Sequence, residues 1–232
     1  MIRLITYNIH FGKRLKKILA WLATQKNTDI FCFQEFPQQQ IADCMKTLKD
    51  KPCGYSFAPS IRRGKKIFGQ LTVFRTDRMR LISSSVLVLK TNRLDRLSLG
   101  RTTGRSCLLN VFAIRRKKFA VANAHLSWLA VNRGRYRQIE HIVEHLDSYR
   151  FPNLFVGDFN ITSLLGRENL FAFMKKYFYQ TSEKRVATHR IALIKHQVDY
   201  VFGKKCEVVN LEAVRIRFSD HYPVIANVRL SH

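Results

Sequence analysis

Leu154-Phe155-Val156-Gly157-Asp158-Phe159-Asn160 is the most informative stretch of the chain. Three apolar residues predict a short buried strand that runs into Gly157-Asp158. Rigid strands aim the polar residues at their ends toward a common cleft. The same arrangement recurs. Asn8 ends an apolar strand over 2–9, and Glu35 ends Asp29–Gln34. His125 follows Phe119–Ala124, Asp199 lies beside Val198, and Asp220-His221 precedes Tyr222–Leu230. Acidic and amide oxygens in such groups suit a hard cation such as Mg²⁺ or Mn²⁺. Histidines beside carboxylates exchange protons near neutral pH. Taken singly, these residues have plainer readings. Asn8 reads as a turn cap, His125 as a core histidine and Asp199 as half of a structural ion pair.

Leu15, Ile18, Leu19 and Leu22 recur at helical spacing, with Lys13, Arg14, Lys16 and Lys17 on the wet side. Ile139, Ile142, Val143 and Leu146 mark a second amphipathic helix. Shorter helices are expected over 38–49 and 171–178, and further strands at 73–74, 86–89, 108–114, 198–202 and 208–214. Strands outnumber helices and several follow one another directly. That predicts an α+β or mixed α/β architecture of sheets covered by helices. No linker or repeat interrupts residues 1–232, which read as one domain.

With 46% hydrophobic residues, 17 of the 232 being Phe, the chain can bury a sizeable core, which excludes wholesale disorder. Lys and Arg number 41 against 16 Asp and Glu, a net charge of +25. Such a field attracts polyanions, nucleic acid first and anionic membrane surfaces second. The five cysteines form no Cys-x-x-Cys pair, so reduced, mostly buried thiols are expected rather than a zinc site or a disulfide framework. No secretory signal and no run of ~18 apolar residues is visible, and a cytoplasmic protein is the expectation.

Order along the chain adds the decisive information. Thr6-Tyr7-Asn8, Gln34-Glu35, Asn123-Ala124-His125-Leu126, Gly157-Asp158-Phe159-Asn160, Val198-Asp199-Tyr200 and Ser219-Asp220-His221-Tyr222-Pro223-Val224 follow one another. This series resembles the endonuclease/exonuclease/phosphatase superfamily, whose best-known fold is that of DNase I. Gly69–Arg75, Arg105 and Arg137-Gln138 are weaker echoes of it. The resemblance implies a four-layer α/β sandwich of two packed mixed β-sheets flanked by helices. It implies hydrolysis of phosphodiester or phosphomonoester bonds with Mg²⁺ or Mn²⁺. By the same resemblance Glu35 is the main metal ligand, supported by Asn8 and Asp220. His221, paired with Asp199, contacts the scissile phosphate. Asp158 orients or deprotonates the attacking water, and Asn160 and His125 donate hydrogen bonds to phosphoryl oxygens. Whether Asp158 or His221 is the base stays open at this point. No Asn-Ala-Tyr-Val-Pro-Asn type of segment is present, which speaks against a dedicated abasic-site repair role.

Charge favours a nuclease acting on DNA or RNA, and a monomer is expected. Arg62-Arg63-Gly64-Lys65-Lys66 reads as a loop between strands and is the best groove candidate. Arg135 and Arg137 flank Tyr136 and are placed to track a phosphate backbone. Arg105 is a candidate phosphate contact, its plainer reading being a solvated strand-end arginine. Arg93 and Arg96 form another basic cluster. The alternative is a phosphatase or phosphodiesterase on phosphoinositide or sphingomyelin headgroups at an anionic membrane. Ser127–Val131 would then be an insertion loop, although Trp128 reads first as a core residue.

Overall fold

The apolar alternation of the strands becomes four layers. A computed structural model describes residues 1–91, 104–128, 132–182, 186–191 and 194–231. One sheet contains β1 (Ile2–Asn8), β2 (Ile30–Pro37), β3 (Cys53–Arg63), β4 (Lys66–Arg75), β12 (Cys206–Ala213) and β13 (Val224–Leu230), in the order β12-β13-β1-β2-β4-β3. The other contains β5 (Arg80–Leu89), β6 (Arg105–Ile114), β7 (Lys117–His125), β8 (Asn153–Asp158) and β11 (Asp199–Lys204), in the order β11-β8-β7-β6-β5. Both are mixed, because β1 runs parallel to β2 and β7 parallel to β8. β9 (His189–Ile191) and β10 (Ile194–His196) form a separate ribbon.

Successive side chains of a strand face opposite sides. Leu4, Ile30 and Cys32 therefore meet Val121, Leu154 and Val156 between the sheets. Their neighbours Ile5, Phe31 and Phe33 face outward, under α1 (Leu15–Thr24) and α2 (Ile41–Thr47). Ala122 and Phe155 of the second sheet pack beneath α3 (Asn132–Asp147) and α4 (Leu164–Lys176). This is the four-layer sandwich expected above. All five cysteines are free thiols, four buried and Cys53 half-buried. Among the described residues no helix is long and apolar enough to cross a membrane.

Some expectations are corrected. β3 carried no clean strand signal because Gly54 and Pro59 interrupt it. Pro59 is tolerated since β3 is an edge strand and its ladder breaks between Pro59 and Ile61. The expected loop over Arg62–Lys66 is a tight hairpin instead, with Arg62 and Arg63 ending β3 and Lys66 opening β4. β5 starts at Arg80, well before the apolar run at 86–89, because its Ser83–Ser85 stretch lies exposed on the other sheet's edge. α4 begins at Leu164 rather than 171, where Ser163 Oγ accepts the Gly166 N–H at 3.0 Å. Arg93 and Arg96 lie outside the described residues.

Polar side chains pin the two sheets together. Gln34 Nε2 donates to Asn123 Oδ1 at 2.8 Å, Ser106 Oγ to Gln70 Oε1 at 2.7 Å, and Asn110 Nδ2 to Ser56 Oγ at 2.7 Å. Asn123 Nδ2 also reaches the carbonyls of Phe33 and Leu71, where the β2–β4 ladder is about to break. Removing Asn123 strands several buried groups. Asn123→Ala is therefore expected to lower stability by about 2–3 kcal/mol in urea unfolding. An unchanged midpoint and slope would show that the seam does not depend on this residue.

Candidate active site

Asn8, Glu35, His125 and Asp158 sit at or near the same ends of β1, β2, β7 and β8. His125 pairs across the parallel ladder with Asp158, and Asp158 across the antiparallel one with Asp199. Asn8, Glu35, His125 and Asp158 converge with Asp220 and His221, just before β13, on a cleft of about 370 Å³. Phe11, Arg63, Arg105, Trp128 and Asn160 also line it.

Local backbone devices aim these groups. Glu35 sits at φ +57° where β2 breaks register between Phe33 and Phe36, so a bulge turns its carboxylate into the cleft. Gly157 has φ +131°, and a Cβ there would lie 1.9 Å from the Ala124 carbonyl oxygen. Only glycine lets β8 approach β7 closely enough to put Asp158 beside His125. Asn160, at φ +54°, donates its backbone N–H to Asp158 Oδ1 at 2.9 Å. Asn8 Nδ2 donates to Asp158 Oδ2 at 3.0 Å and to Glu35 Oε1 at 3.5 Å.

His221 Nδ1 donates to Asp199 Oδ2 at 2.9 Å, and its Nε2 lies 3.7 Å from Asp158 Oδ2. Burial would push His221 down, but Asp199 and Asp158 outweigh it and raise the imidazole to about 10. His221 is thus an imidazolium at neutral pH. His125 has the opposite fate, since burial and then the Arg105 guanidinium hold it well below 6.5. Arg105 NH1 donates to His125 Nδ1 at 3.1 Å, which leaves the proton on Nε2, 3.5 Å from Asp158 Oδ2. Burial, then Asp199, raises the Asp158 carboxyl above its ordinary value, and burial likewise raises Glu35. Burial works against the Asp220 charge, yet the bond from His10 and the charge of His221 hold this carboxyl below its ordinary value.

The remaining predicted residues divide. Arg105 is not a solvated strand-end arginine but is 2% exposed and bonded to His125. Arg63 lies over the Phe11 ring, 3.7 Å from its centroid, on the cleft wall. Arg62 and Lys65 are exposed on the same hairpin but do not line the cleft. Arg135 is turned back onto the carbonyls of Ser127 and Trp128, and Arg137 is exposed on α3 away from the cleft. Tyr136 packs on Phe173 rather than offering a stacking face. Trp128 reverses its core reading, being 59% exposed at the cleft. Asn160 Nδ2 is engaged by the Leu126 carbonyl at 3.0 Å.

Three contributors escaped the sequence reading. His10 Nδ1 lies 2.8 Å from Asp220 Oδ1. Thr188 Oγ1 accepts the N–H groups of Val198 and Asp199, both at 3.0 Å, and so fixes the strand that presents Asp199. The His189 ring lies 4.4 Å from that of His221, and burial lowers it to about 4. Position beside Asn8 was a usable signal for His10. Thr188 and His189 carried none, because the ribbon that brings them in is too short to read.

Comparison with known proteins agrees with this geometry. The model of the Endonuclease/Exonuclease/phosphatase family matches residues 5–221. A search of curated protein sequences finds no match. Among solved structures, the endonuclease/exonuclease/phosphatase from Bacteroides vulgatus is 19% identical, with a TM-score of 0.76 and 99% of each chain covered. The mannosyl-6-phosphatase Bt3783 of Bacteroides thetaiotaomicron is 16% identical, with a TM-score of 0.74 over 98% of this chain and 99% of that one. The human Nocturnin catalytic domain with bound sulfate is 18% identical, with a TM-score of 0.76 over 99% and 94%. The order of motifs, the two mixed sheets and the matched span together make this chain a member of the endonuclease/exonuclease/phosphatase family, hydrolases of phosphoester bonds.

Proposed function

We propose that the protein is a metal-dependent phosphodiesterase that cleaves DNA or RNA by water attack at phosphorus. The observation that carries the chemistry is the geometry of His221, whose Nδ1 donates to Asp199 at 2.9 Å while its Nε2 lies 3.7 Å from Asp158 on one wall of the cleft; the two carboxylates favour the charged imidazole. An imidazolium cannot accept the water's proton, so Asp158 takes that role. Its raised pKa makes it a better base than an exposed carboxylate. His221 and the Nε2–H of His125 then face the phosphoryl oxygens, where negative charge accumulates. The new bond joins the water oxygen to phosphorus, the water's proton goes to Asp158, the ester P–O bond breaks, and the departing oxygen is protonated from solvent.

The donor set also fits a hard cation. Oε2 of Glu35 is buried with no hydrogen-bond partner among the described residues, and Asn8 bridges Glu35 to Asp158. Glu35, Asn8 and Asp220 would hold Mg²⁺ or Mn²⁺. The closest groups of ligand-type atoms among the described residues are Asp158-Asp199-His221 and His189-Asp220-His221, and neither includes Glu35. Since His221 is held protonated, the oxygen set around Glu35 is the better cation site. When bound, the ion polarises a phosphoryl oxygen and offsets the substrate's charge.

For the substrate, Arg63, stacked on Phe11, and Arg105 supply cationic walls, and Trp128 offers a flat apolar face at the same cleft. That combination tracks a sugar–phosphate chain and stacks a base. One observation favours a second reading, a lipid headgroup. Leu164 and Leu165, 64% and 70% exposed, follow closely on Thr162, which lines the cleft together with Trp128. Such an apolar rim suits insertion into a membrane interface.

Incubation of supercoiled plasmid and of single-stranded RNA with Mg²⁺ or Mn²⁺ at low salt separates the two. Cleavage is expected, with complete loss in chelator and a steep fall with salt as counterions are released. Intact nucleic acid alongside hydrolysis of phosphoinositide vesicles would replace the nuclease reading with the lipid one.

A further inference from the structure

A second cavity adjoins the cleft, and nothing in the chemistry above uses it. It measures about 420 Å³ and shares two of its lining residues, His10 and Asp220, with the catalytic cleft. Its outer walls are Lys13, Arg14 and Arg217, backed by Phe218 and Tyr222.

Three successive left-handed residues build it. His10, Phe11 and Gly12 have φ of 48°, 55° and 69°, which folds the chain back so that Lys13 Nζ reaches His10 Nε2 at 2.7 Å. An ammonium has only hydrogens to offer, so Nε2 accepts, and Nδ1 carries the proton donated to Asp220 Oδ1. Arg14 NH1 donates to the Arg217 carbonyl at 2.7 Å, which holds the two arginine segments side by side. Among the described residues, Asp220 is the one carboxylate lining this cavity, and it is already bonded to His10 and Ser219. Two guanidinium groups and an ammonium thus outnumber the single carboxylate, and that carboxylate is turned onto His10 and Ser219. Arg217 is three residues from Asp220, so their Cα atoms lie within about 11 Å. Because His10 and Asp220 line both spaces, a phosphoryl group held here would adjoin the one in the cleft.

We infer that this cavity is a second phosphate subsite, which recognises a phosphoryl group neighbouring the scissile one. The inference rests on the phosphoester-hydrolase reading and narrows its substrate to molecules with two adjacent phosphates. A nucleic-acid strand and a bisphosphorylated headgroup share that chemistry. Guanidinium–phosphate bonds would supply the recognition, as forked donors suited to phosphate oxygens.

The test compares kcat/KM for TpT with that for pTpT, and for short-chain phosphatidylinositol 4-phosphate with that for the 4,5-bisphosphate, in Mg²⁺ or Mn²⁺. The extra phosphate is expected to raise kcat/KM about 30-fold in at least one pair. The pair that gains identifies the source of the second phosphate. In Arg14→Ala/Arg217→Ala the ratio within that pair should fall to about one, and in Arg217→Glu below it. Both arginines are exposed, so circular dichroism and thermal unfolding should match the wild type. Equal rates within both pairs would overturn the subsite while leaving the hydrolase reading intact. A gain that persists in the double variant would also overturn it, by placing the recognition elsewhere. Hydrolysis of none of the four substrates would remove the hydrolase reading and the subsite with it.

Discussion

Asp158→Asn is expected to lower phosphodiester hydrolysis by about 10³-fold without unfolding the protein. The side chain is 1% exposed, and its oxygens accept from Asn8 Nδ2 and the Asn160 N–H. An amide of the same shape keeps only one of these two acceptors and cannot take a proton from water. The hydrogen bond lost at the amide nitrogen is offset by the charge removed. The folded environment raises this carboxyl above its ordinary value, so its ionised form costs stability at neutral pH, and the amide removes that cost. Rates on bis(p-nitrophenyl) phosphate with saturating metal, and melting temperatures of the same samples, would check both halves. A folded variant at wild-type rate would strip Asp158 of the role of base.

Asp199→Asn should reduce kcat by about 10²–10³-fold and move the alkaline limb of the pH–rate profile downward. Asp199 is fully buried, and its Oδ2 accepts from His221 Nδ1. Its charge is the foremost influence raising His221 from 6.5 to about 10 against burial. For such a raised group, the stabilising contribution is present in full below about 6.5 and lost as pH rises through about 10. The wild type should therefore lose both rate and stability toward pH 10 as the imidazolium deprotonates. With an amide at 199 the proton leaves at lower pH, and the alkaline loss of stability shrinks. An unmoved alkaline limb in a folded variant would mean that the imidazolium is not the reacting form.

The parts of this molecule that were readable in the sequence are those set by local order. β1, β2, β7 and β8 announce themselves as apolar runs, and the strand-end reading placed Asn8, Glu35, His125 and Asp158 at the cleft, with Asp199 of β11 buried behind His221. What stayed hidden depends on contacts between distant segments. Nothing local says that Arg105 is buried against His125, 20 residues away in sequence. Arg135 and Arg63 are equally basic in a list of residues. Only the fold turns one onto the carbonyls of Ser127 and Trp128 and lays the other over Phe11. β3 was masked by its glycine and proline, and Trp128 by the general preference of its side chain for cores.

The groups proposed to react are divided between the two sheets. Asn8 and Glu35 belong to one, and His125, Asp158 and Asp199 to the other. Side chains such as Gln34 and Asn123 keep the two in step. The groups that would meet the rest of the substrate sit elsewhere. Phe11 lies in a turn, Arg63 at a hairpin tip and Trp128 in the loop after β7. Changes at those peripheral positions leave the seam untouched. Such a scaffold can trade one phosphorylated substrate for another by rewriting its rim, generation after generation, while the cutting machinery is inherited unaltered.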